Sequence, residues 1–268
     1  MEAMSTATLA GVSSGLTMPT ARLLRAYAGE IKYEAVRMLR APAFSVPFLL
    51  LPVPVYMFFG VLLAAPAIAN NPAVGNYLFS GFSAFAIIGP SLFGAGCSLA
   101  VERDAGLLRL KRALPAPPGA YLVAKIVVSM IFAALAASTL LVASLFTGTV
   151  TLSLAQRVAL EMVMVVGAVP FAAIGLLIGT HASGTAAPAF ANVVFLPMLW
   201  LSGLFIPLPK FLEPWALIWP AFHINQVALG AAGVTEFQFV SPLLSAAVLT
   251  SISVVCGGLA IRRLARKG

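Results

Sequence analysis

Six long stretches of this sequence carry almost no charge, and they constrain the fold more than any other feature. A bilayer core is about 30 Å thick, so a helix that crosses it needs roughly 20 consecutive apolar residues. Six runs meet this requirement and predict an all-α integral membrane protein with six transmembrane helices. The runs cover residues 43–68, 76–100, 122–147, 158–180, 186–206 and 240–261.

The composition excludes a water-soluble protein. The 268 residues include only 16 Lys and Arg and 8 Asp and Glu, and 61% of the chain is hydrophobic. A soluble domain carries roughly 25% charged residues, whereas this chain carries 9%. So few charges cannot cover the surface that a folded chain of this length still exposes. The composition therefore excludes cytosolic enzymes, secreted disulfide domains and disordered chains.

The basic residues lie on one side of the predicted spans. All Lys and Arg residues except Arg157 and Lys210 precede the first run, lie around the connection between the second and third, or follow the sixth. Because cytoplasmic loops carry the excess of Lys and Arg, both termini are predicted to be cytoplasmic. The net charge of +8 is then an orientation signal for the lipid bilayer, and we expect no nucleic-acid partner.

Residues 21–41 have the pattern of an amphipathic helix that precedes the membrane domain 42–268, and residues 1–20 are predicted to be a disordered polar segment. The apolar side chains recur at intervals of three, four and seven residues, which suits a helix lying flat in the cytoplasmic interface. A soluble helix packed on a partner also fits. The apolar arc contains Leu24, Tyr27, Ala28, Ile31, Ala35, Met38 and Leu39, and the cations outside it include Arg25, Lys32 and Arg37.

The largest cytoplasmic loop, residues 101–121, is predicted to contain a short helix over 102–114. Acidic residues open this helix and basic residues close it, an order that suits the helix dipole, and a proline cluster ends it. A partner-docking helix and a solvated loop both fit the pattern. The acids are Glu102 and Asp104, the bases are Arg109, Lys111 and Arg112, and the apolar stripe is Leu107, Leu110 and Leu114.

The outer connection after the fifth run is the longest, and residues 207–233 are rich in proline and aromatic residues. Aromatic side chains of this kind settle at the membrane–water boundary. Two short re-entrant helices in the outer leaflet are predicted here. These helices either close the outer end of a transport path or serve only as an anchor at the membrane interface.

The motifs of catalysis and metal binding are not found. The sequence has no phosphate-binding loop and no paired Cys or His-Glu-x-x-His motif, so we expect no catalytic residue, no metal site and no cofactor on this chain. Ion-driven carriers usually need ionisable groups near the middle of the membrane. Glu161, the acid within a predicted span, lies four residues after Arg157, which predicts an ion pair rather than a proton site.

A transport path is therefore sought among uncharged residues of the first, second and fifth runs. Flexible Met and Phe side chains suit bulky amphipathic substrates. Taken one at a time, most of these positions are better explained by lipid contact or helix packing. The candidate path residues are Tyr56, Phe59, Phe82, Phe85, Asn192, Phe195 and Met198.

Two stretches resemble the ABC-2 type transporter permeases, membrane subunits of bacterial exporters of drugs and polysaccharides. The first stretch is similar to a family pattern in which a charged opening is followed by Gly, a Leu-rich helix, a Pro break and a Lys. The second stretch is similar to a family pattern of Pro-Met, Leu-Ser-Gly-x-Phe-x-Pro, Pro-Trp and His. The residues are Glu102, Arg103, Asp104, Gly106, Leu110, Pro115 and Lys125, and then Pro197, Met198, Leu201, Ser202, Gly203, Phe205, Pro207, Pro214, Trp215, Pro220 and His223.

The resemblance implies an exporter of a hydrophobic or amphipathic substrate in the bacterial inner membrane, a permease homodimer or heterodimer, and two copies of a separate ATPase subunit that holds ATP and Mg²⁺. An ATP-independent carrier or channel is the alternative. The resemblance also makes 102–114 the coupling helix and 21–41 the elbow helix. It implies that Glu102, Arg103, Asp104, Gly106, Leu107, Leu110, Lys111 and Arg112 dock the ATPase, and that Gly203, Phe205, Pro207 and Trp215 form an outer gate.

Overall fold

All regular secondary structure in the described residues is helical, which confirms the predicted all-α class. The computed structural model describes residues 19–113, 117, 119–209 and 211–267. The predicted disordered segment 1–20 lies outside these residues except for Pro19 and Thr20, and so do Leu114 and Lys210.

The helices follow the predicted runs closely. In chain order they are α1 (Thr20–Leu39), α2 (Pro42–Leu50), α3 (Pro52–Val55), a π-helical segment (Tyr56–Leu62), α4 (Ala65–Asn70), α5 (Ala73–Asp104), α6 (Leu107–Ala113), α7 (Ala120–Leu145), α8 (Leu154–His181), α9 (Ala187–Leu201), α10 (Glu213–Ala216), α11 (Pro220–Ala232), a 3₁₀ turn (Thr235–Phe237) and α12 (Pro242–Lys267).

Within the described residues, five helical segments are long and apolar enough to cross a membrane, so this is a multi-pass membrane protein. They are Pro42–Leu62, α5, α7, α8 and Pro242–Arg266 of α12. The fifth predicted run corresponds to α9, which has 15 residues and is about 22 Å long at 1.5 Å per residue. That length is less than the bilayer core, and a sixth crossing stays a prediction.

The first span is interrupted where its prolines lie. Pro47 lies inside α2, and Pro52 begins a second short helix. Proline has no N–H to donate, so the regular hydrogen-bond ladder cannot continue through it. The chain then forms π-helical turns over Tyr56–Leu62, and the next N–H, of Leu63, donates to the carbonyl of Phe58 five residues earlier at 2.9 Å.

Helix α5 forms the centre of the bundle and packs most extensively against α8. Glycines bring these two backbones together, because a Cβ atom on Gly175 would lie only 2.2 Å from the carbonyl oxygen of Leu92. A Cβ atom on Gly96 would lie 2.6 Å from the carbonyl oxygen of Gly175. Small residues permit this close approach between membrane helices, and α5 and α8 therefore meet main chain to main chain.

The bundle has two distinct ends. Helix α1, the α5–α6 connection, the α8–α9 connection and the last turns of α12 meet at one end, where Arg263 donates to the carbonyl of Thr180 at 3.0 Å. We call this the basic end, because the described Lys and Arg residues other than Arg157 lie there. At the opposite end, Gln156 donates to the carbonyl of Ala232 at 2.9 Å. Which end is cytoplasmic stays a prediction.

The region predicted to hold two short outer helices contains α10 and α11. Helix α11 is mostly buried and contributes Ile224 and Ala228 to the main hydrophobic core. It ends at Gly233, whose φ of +71° is left-handed, a conformation that glycine adopts without steric cost. The depth of these helices in the bilayer stays a prediction.

Candidate functional site

The short helix predicted for 102–114 begins later than the sequence indicates. Helix α5 continues to Asp104, and α6 begins at Leu107. The break is at Gly106, whose φ is +73°, because glycine tolerates the left-handed conformation that ends a helix. The prediction that Glu102 and Asp104 open the short helix is therefore wrong, since both belong to the last turn of α5.

Helix α6 presents an apolar pair outward. The exposed fractions of Leu107 and Leu110 are 43% and 64%, whereas that of Leu108 is 3%. Leu108 packs into a small core with Leu99 and Leu264, among others. The third residue of the predicted stripe, Leu114, lies outside the described residues. The outward pair therefore has no cover from the described part of the chain.

A lysine ties α6 to α1. The Nζ atom of Lys111 donates to a carboxylate oxygen of Glu30 at 2.7 Å and lies 6.0 Å from the ring centroid of Tyr121. Lys111, one of the predicted docking residues, thus contacts its own chain. Arg112 belongs to α6, but its side chain lies outside the described part of the structure.

Two further predicted docking residues hold the end of α8. Arg103 donates to the carbonyls of Gly179 and Ala182 at 2.9 and 2.8 Å. Asp104 accepts a hydrogen bond from the N–H of Gly184 at 2.7 Å. The last carbonyls of a helix have no partner within it, and Arg103 satisfies two carbonyls at this terminus. These contacts couple the foot of α5 to the foot of α8.

Behind α6, four charged side chains from three helices form what we call the charge cluster, namely Glu34 and Arg37 of α1, Glu102 of α5 and Lys125 of α7. The Nζ atom of Lys125 lies 2.9 Å from Glu34, 3.0 Å from Glu102 and 2.8 Å from the hydroxyl of Ser98. Arg37 contacts Glu34 at 2.6 Å and Glu102 at 2.8 Å. The cluster joins the three helices at the basic end.

The charge cluster is neutral as a whole and largely removed from solvent. The side chains of Lys125, Glu102 and Glu34 are 2%, 5% and 7% exposed, and that of Arg37 is 45% exposed. Burial alone raises the pKa of Glu34, but Lys125 and Arg37 beside it more than offset this effect and hold the pKa below its ordinary value. Removing one member leaves a largely buried cluster with one uncompensated charge, which is strongly unfavourable.

The sequence contains a signal for this cluster. On the helical wheel of α1, Glu34 lies at the border of the apolar arc beside Tyr27, and Lys125 lies within the third apolar run. Acids and bases are almost never fully buried unless they are paired. An acid at the border of an apolar arc and a base within an apolar run therefore indicate an ion pair.

Helix α1 packs along α7 with part of its predicted apolar arc. Met38, with Ile31 and Ala35 beside it, packs against Val128 and Phe132. The other end of the arc differs, because Leu24 is 64% exposed. The predicted elbow cations Arg25 and Lys32 are exposed on α1, whereas Arg37 belongs to the charge cluster.

The seven candidate path residues do not converge on one cavity in the protomer. Tyr56 and Phe82 are buried together, with ring centroids 5.6 Å apart, and Met198 is also buried. Phe59 is 55% exposed, and Asn192 lies on the outside of α9. The remaining two, Phe85 and Phe195, are half-buried. Their role in a path stays a prediction.

Two of the four predicted outer-gate residues lie in the packed half of the bundle opposite the basic end. Gly203 has a φ of +64° and is buried, and its carbonyl accepts hydrogen bonds from Tyr77 and Asn225. Phe205 stacks near Phe82 and Phe85, with ring centroids 4.9 and 5.5 Å away. The other two, Pro207 and Trp215, are exposed.

The predicted ion pair between Arg157 and Glu161 is wrong. Arg157 donates to the carbonyls of Leu152 and Val150 at 3.0 and 3.1 Å, and Glu161 accepts from Ser138 at 2.9 Å. The α7–α8 connection has free carbonyls because it is not helical, and these carbonyls bind the guanidinium instead.

A buried histidine joins α11 to its neighbours at the opposite end. His223 lies 3.0 Å from the carbonyl of Leu217 through Nε2 and 3.3 Å from the hydroxyl of Ser245 through Nδ1. Burial lowers the pKa of His223, against a smaller opposing effect of the Leu217 carbonyl. Among the described residues, no group of three His, Cys, Asp or Glu side chains is placed to hold a metal ion.

Comparison with known proteins connects this arrangement to membrane transport. The family model described as ABC-2 type transporter matches residues 30–239, which include α5, α6, α7 and the charge cluster. The chain is also similar to the protein named "Putative transport permease YvfS" of Bacillus subtilis (strain 168). The two are 24% identical over 198 residues, which cover 73% of this chain and 80% of the relative.

Proposed function

Because the chain belongs to the ABC-2 type transporter family, we propose that it is the permease subunit of an ATP-binding-cassette exporter. Two copies of a separate ATPase subunit drive it, and they hold the ATP and Mg²⁺. Two permease chains, identical or related, together form the membrane part in the bacterial inner membrane. This chain supplies the transmembrane path and the surface on which the ATPase docks.

The observation that carries the proposal is the geometry of α6. This helix lies at the basic end, directs Leu107 and Leu110 outward, and is anchored from behind by Leu108 and Lys111. A firmly held helix with an exposed apolar pair suits the central contact of a protein interface, where apolar anchors fill a pocket of the partner. The basic end is also the end predicted to be cytoplasmic, where ATP is available.

The mechanism that we propose is a rigid-body switch between two states. Closure of the two ATPases around ATP displaces α6. Because only Ala105 and Gly106 separate α6 from α5, the displacement reaches α5, and α8 follows because the two helices meet main chain to main chain. The path between the two permease chains then opens on the outer side.

The proposed substrate is hydrophobic or amphipathic, such as a drug, a lipid-linked glycan or a peptide. The candidate path residues of α5 and α9 and of the first span are uncharged, and an uncharged lining favours lipophilic molecules over ions. Export rather than import is the direction that the family resemblance implies.

The decisive experiment combines capture and transport. The tagged chain is expressed with an ATP-binding-cassette ATPase subunit of the same organism, purified in detergent and reconstituted into vesicles. We expect a stable complex and ATP-dependent movement of a fluorescent amphipathic dye. A purified chain that never retains the ATPase, or dye movement that proceeds equally without ATP, would contradict the proposal and favour an independent carrier or channel.

A further inference from the structure

We propose that the charge cluster is a mechanical joint that makes α1 move together with α6 and the foot of α5. Glu34, Arg37, Glu102 and Lys125 are then positioning residues for transport. This inference rests on the proposed function for the origin of the movement, which is the ATPase, but the joint itself is a property of this chain alone.

The charge cluster draws on residues from both sides of α6 in the sequence. Glu102 lies in the last turn of α5, before α6 begins, and Lys125 lies in the second turn of α7, after α6 ends. Both side chains bind Glu34 or Arg37 of α1. The two chain segments that flank α6 are therefore both attached to α1.

Helix α6 itself is attached to the same face of α1. Lys111 binds Glu30, which lies one helical turn before Glu34. Residues four apart on a helix are neighbours on one face, so Glu30 and Glu34 form a continuous acidic edge toward α6 and α7. Three successive elements of the chain thus hold one edge of α1.

The apolar and the charged contacts of α1 differ in how much movement they permit. The apolar packing of Met38 on Val128 and Phe132 is non-directional, so it permits small sliding movements. Charged hydrogen bonds of 2.6–3.0 Å have a narrow range of favourable geometry. Sliding α1 past α7 would separate Glu34 from Lys125 and Arg37 from Glu102, and separating largely buried charges from their partners is strongly unfavourable. The cluster therefore resists relative movement that the apolar contacts alone would allow.

The joint has a consequence for the first span. Helix α1 ends at Leu39, and α2 begins at Pro42 after only two residues. A movement of α1 therefore reaches the foot of the first span almost directly. One displacement of α6 is delivered both to α5, through Gly106, and to the first span, through the charge cluster and α1.

Distance measurements test the joint without any ATPase. Spin labels are placed on exposed positions of α1 and α6 through Arg25→Cys and Arg109→Cys, with Cys97→Ser and Cys256→Ser removing the native thiols. We expect one narrow distance distribution in lipid nanodiscs. Lys125→Met should broaden it about twofold, because local restraint between the elements is lost, whereas Lys125→Arg, which keeps the cation, should stay close to the parent.

Two controls separate loosening of the joint from general unfolding. Labels at Val158→Cys and Leu243→Cys, both exposed and remote from the cluster, should keep their distribution in every variant. Arg40→Met removes an exposed cation of α1 outside the cluster and should leave the Arg25–Arg109 distribution unchanged. If Lys125→Met does not yield folded protein, Glu34→Gln removes one charge at nearly constant shape and should broaden the same distribution.

The outcomes decide the inference independently of the proposed function. An unchanged Arg25–Arg109 distribution in folded Lys125→Met or Glu34→Gln overturns the joint, whether or not the ATPase binds. In the complete complex, Lys125→Met should retain ATPase capture but lower transport per ATP hydrolysed about threefold, a size typical of residues that couple distant sites. Parental transport per ATP in a variant with a broadened distribution would overturn the role in transport.

Discussion

Tyr77, near the start of α5, donates a hydrogen bond to the main-chain carbonyl of Gly203, which lies 126 residues later in the chain. The same carbonyl accepts a second hydrogen bond from Asn225 of α11 at 3.1 Å. The turn that follows α9 is thus bound to two helices through a single oxygen atom. This arrangement holds together the half of the bundle opposite the basic end.

Loss of the Tyr77 hydroxyl should destabilise the turn at Gly203 that follows α9. Tyr77→Phe removes one buried hydrogen bond, which is worth about 1 kcal/mol, and should lower the thermal unfolding midpoint by a few degrees in detergent. Gly203→Ala should cost a further ~1 kcal/mol, because the left-handed conformation disfavours a Cβ atom. Tyr33→Phe is the control, since Tyr33 is 75% exposed. Equal midpoints for Tyr77→Phe and Tyr33→Phe would contradict the prediction.

A charge on the outward face of α6 should weaken ATPase capture. Leu110→Asp places a carboxylate in the apolar pair, and loss of a central interface anchor typically costs about 2 kcal/mol or more, or at least a ~30-fold weaker complex. The retained ATPase is quantified by affinity purification. Phe146→Asp, at an exposed position of the opposite end, should retain the parental amount. If both variants capture the ATPase equally, α6 is not the docking surface.

Acid should weaken the bundle through Glu34. The pKa of Glu34 in the folded protein lies below its ordinary value of 4.5, so its carboxylate stabilises the fold above that value. This contribution is lost as the pH falls through the folded-state pKa. The contribution of Glu34 to the unfolding midpoint should therefore be lost only below about pH 4.5, and over that range the midpoint should fall less in Glu34→Gln. Glu213→Gln should show the full acid response of the parent, and a Glu34→Gln variant with that same response would disprove the linkage.

Accessibility to a membrane-impermeant maleimide should report the orientation. In a chain without Cys97 and Cys256, Arg109→Cys at the basic end should react only after the cells are opened. Leu154→Cys, 79% exposed at the opposite end, should react in intact cells. The expectation follows from the bias of Lys and Arg toward the basic end. The reverse pattern of labelling would invert the topology and remove α6 from the cytoplasm.

A methyl group between α5 and α8 should be far more damaging than one on the bundle surface. Gly175→Ala brings a Cβ atom to 2.2 Å from the carbonyl oxygen of Leu92, and overpacking of this kind costs about 1–3 kcal/mol or more. Gly257→Ala is the matched control on α12, because nothing lies within 4 Å of its added Cβ atom. Size-exclusion profiles and unfolding midpoints measure the difference. A Gly175→Ala protein as stable as Gly257→Ala would refute the close contact.

The helices themselves were accessible to sequence reasoning because their signals are local. Apolar runs placed the spans within a few residues, and Pro47 and Pro52 indicated the interrupted first span. The start of α6 was harder to predict, because Gly106 favours a break whereas the residues before it favour a continuous helix. Whether α5 continued to Asp104 depended on partners for Arg103 and Asp104 that lie about 80 residues away.

Contacts between charged groups were the least predictable feature. The i, i+4 spacing of Arg157 and Glu161 suggested a local pair, yet carbonyls of the neighbouring connection bind the arginine instead. Conversely, Lys125 and Glu34 are 91 residues apart, and no local pattern joins them. Which charged groups pair depends on which of them the fold brings together, and helical periodicity in the sequence does not contain that information.

The main-chain contact between α5 and α8 has a practical consequence for following this protein through its working cycle. Neither helix can rotate or slide without driving carbonyl oxygens of one into glycine Cα atoms of the other, at Gly96 and Gly175. Structures captured in different states should therefore superpose on these two helices. With this pair as the common reference frame, the displacement of each surrounding helix can be measured directly. Probes attached to α5 or α8 mark the fixed position from which that displacement is measured.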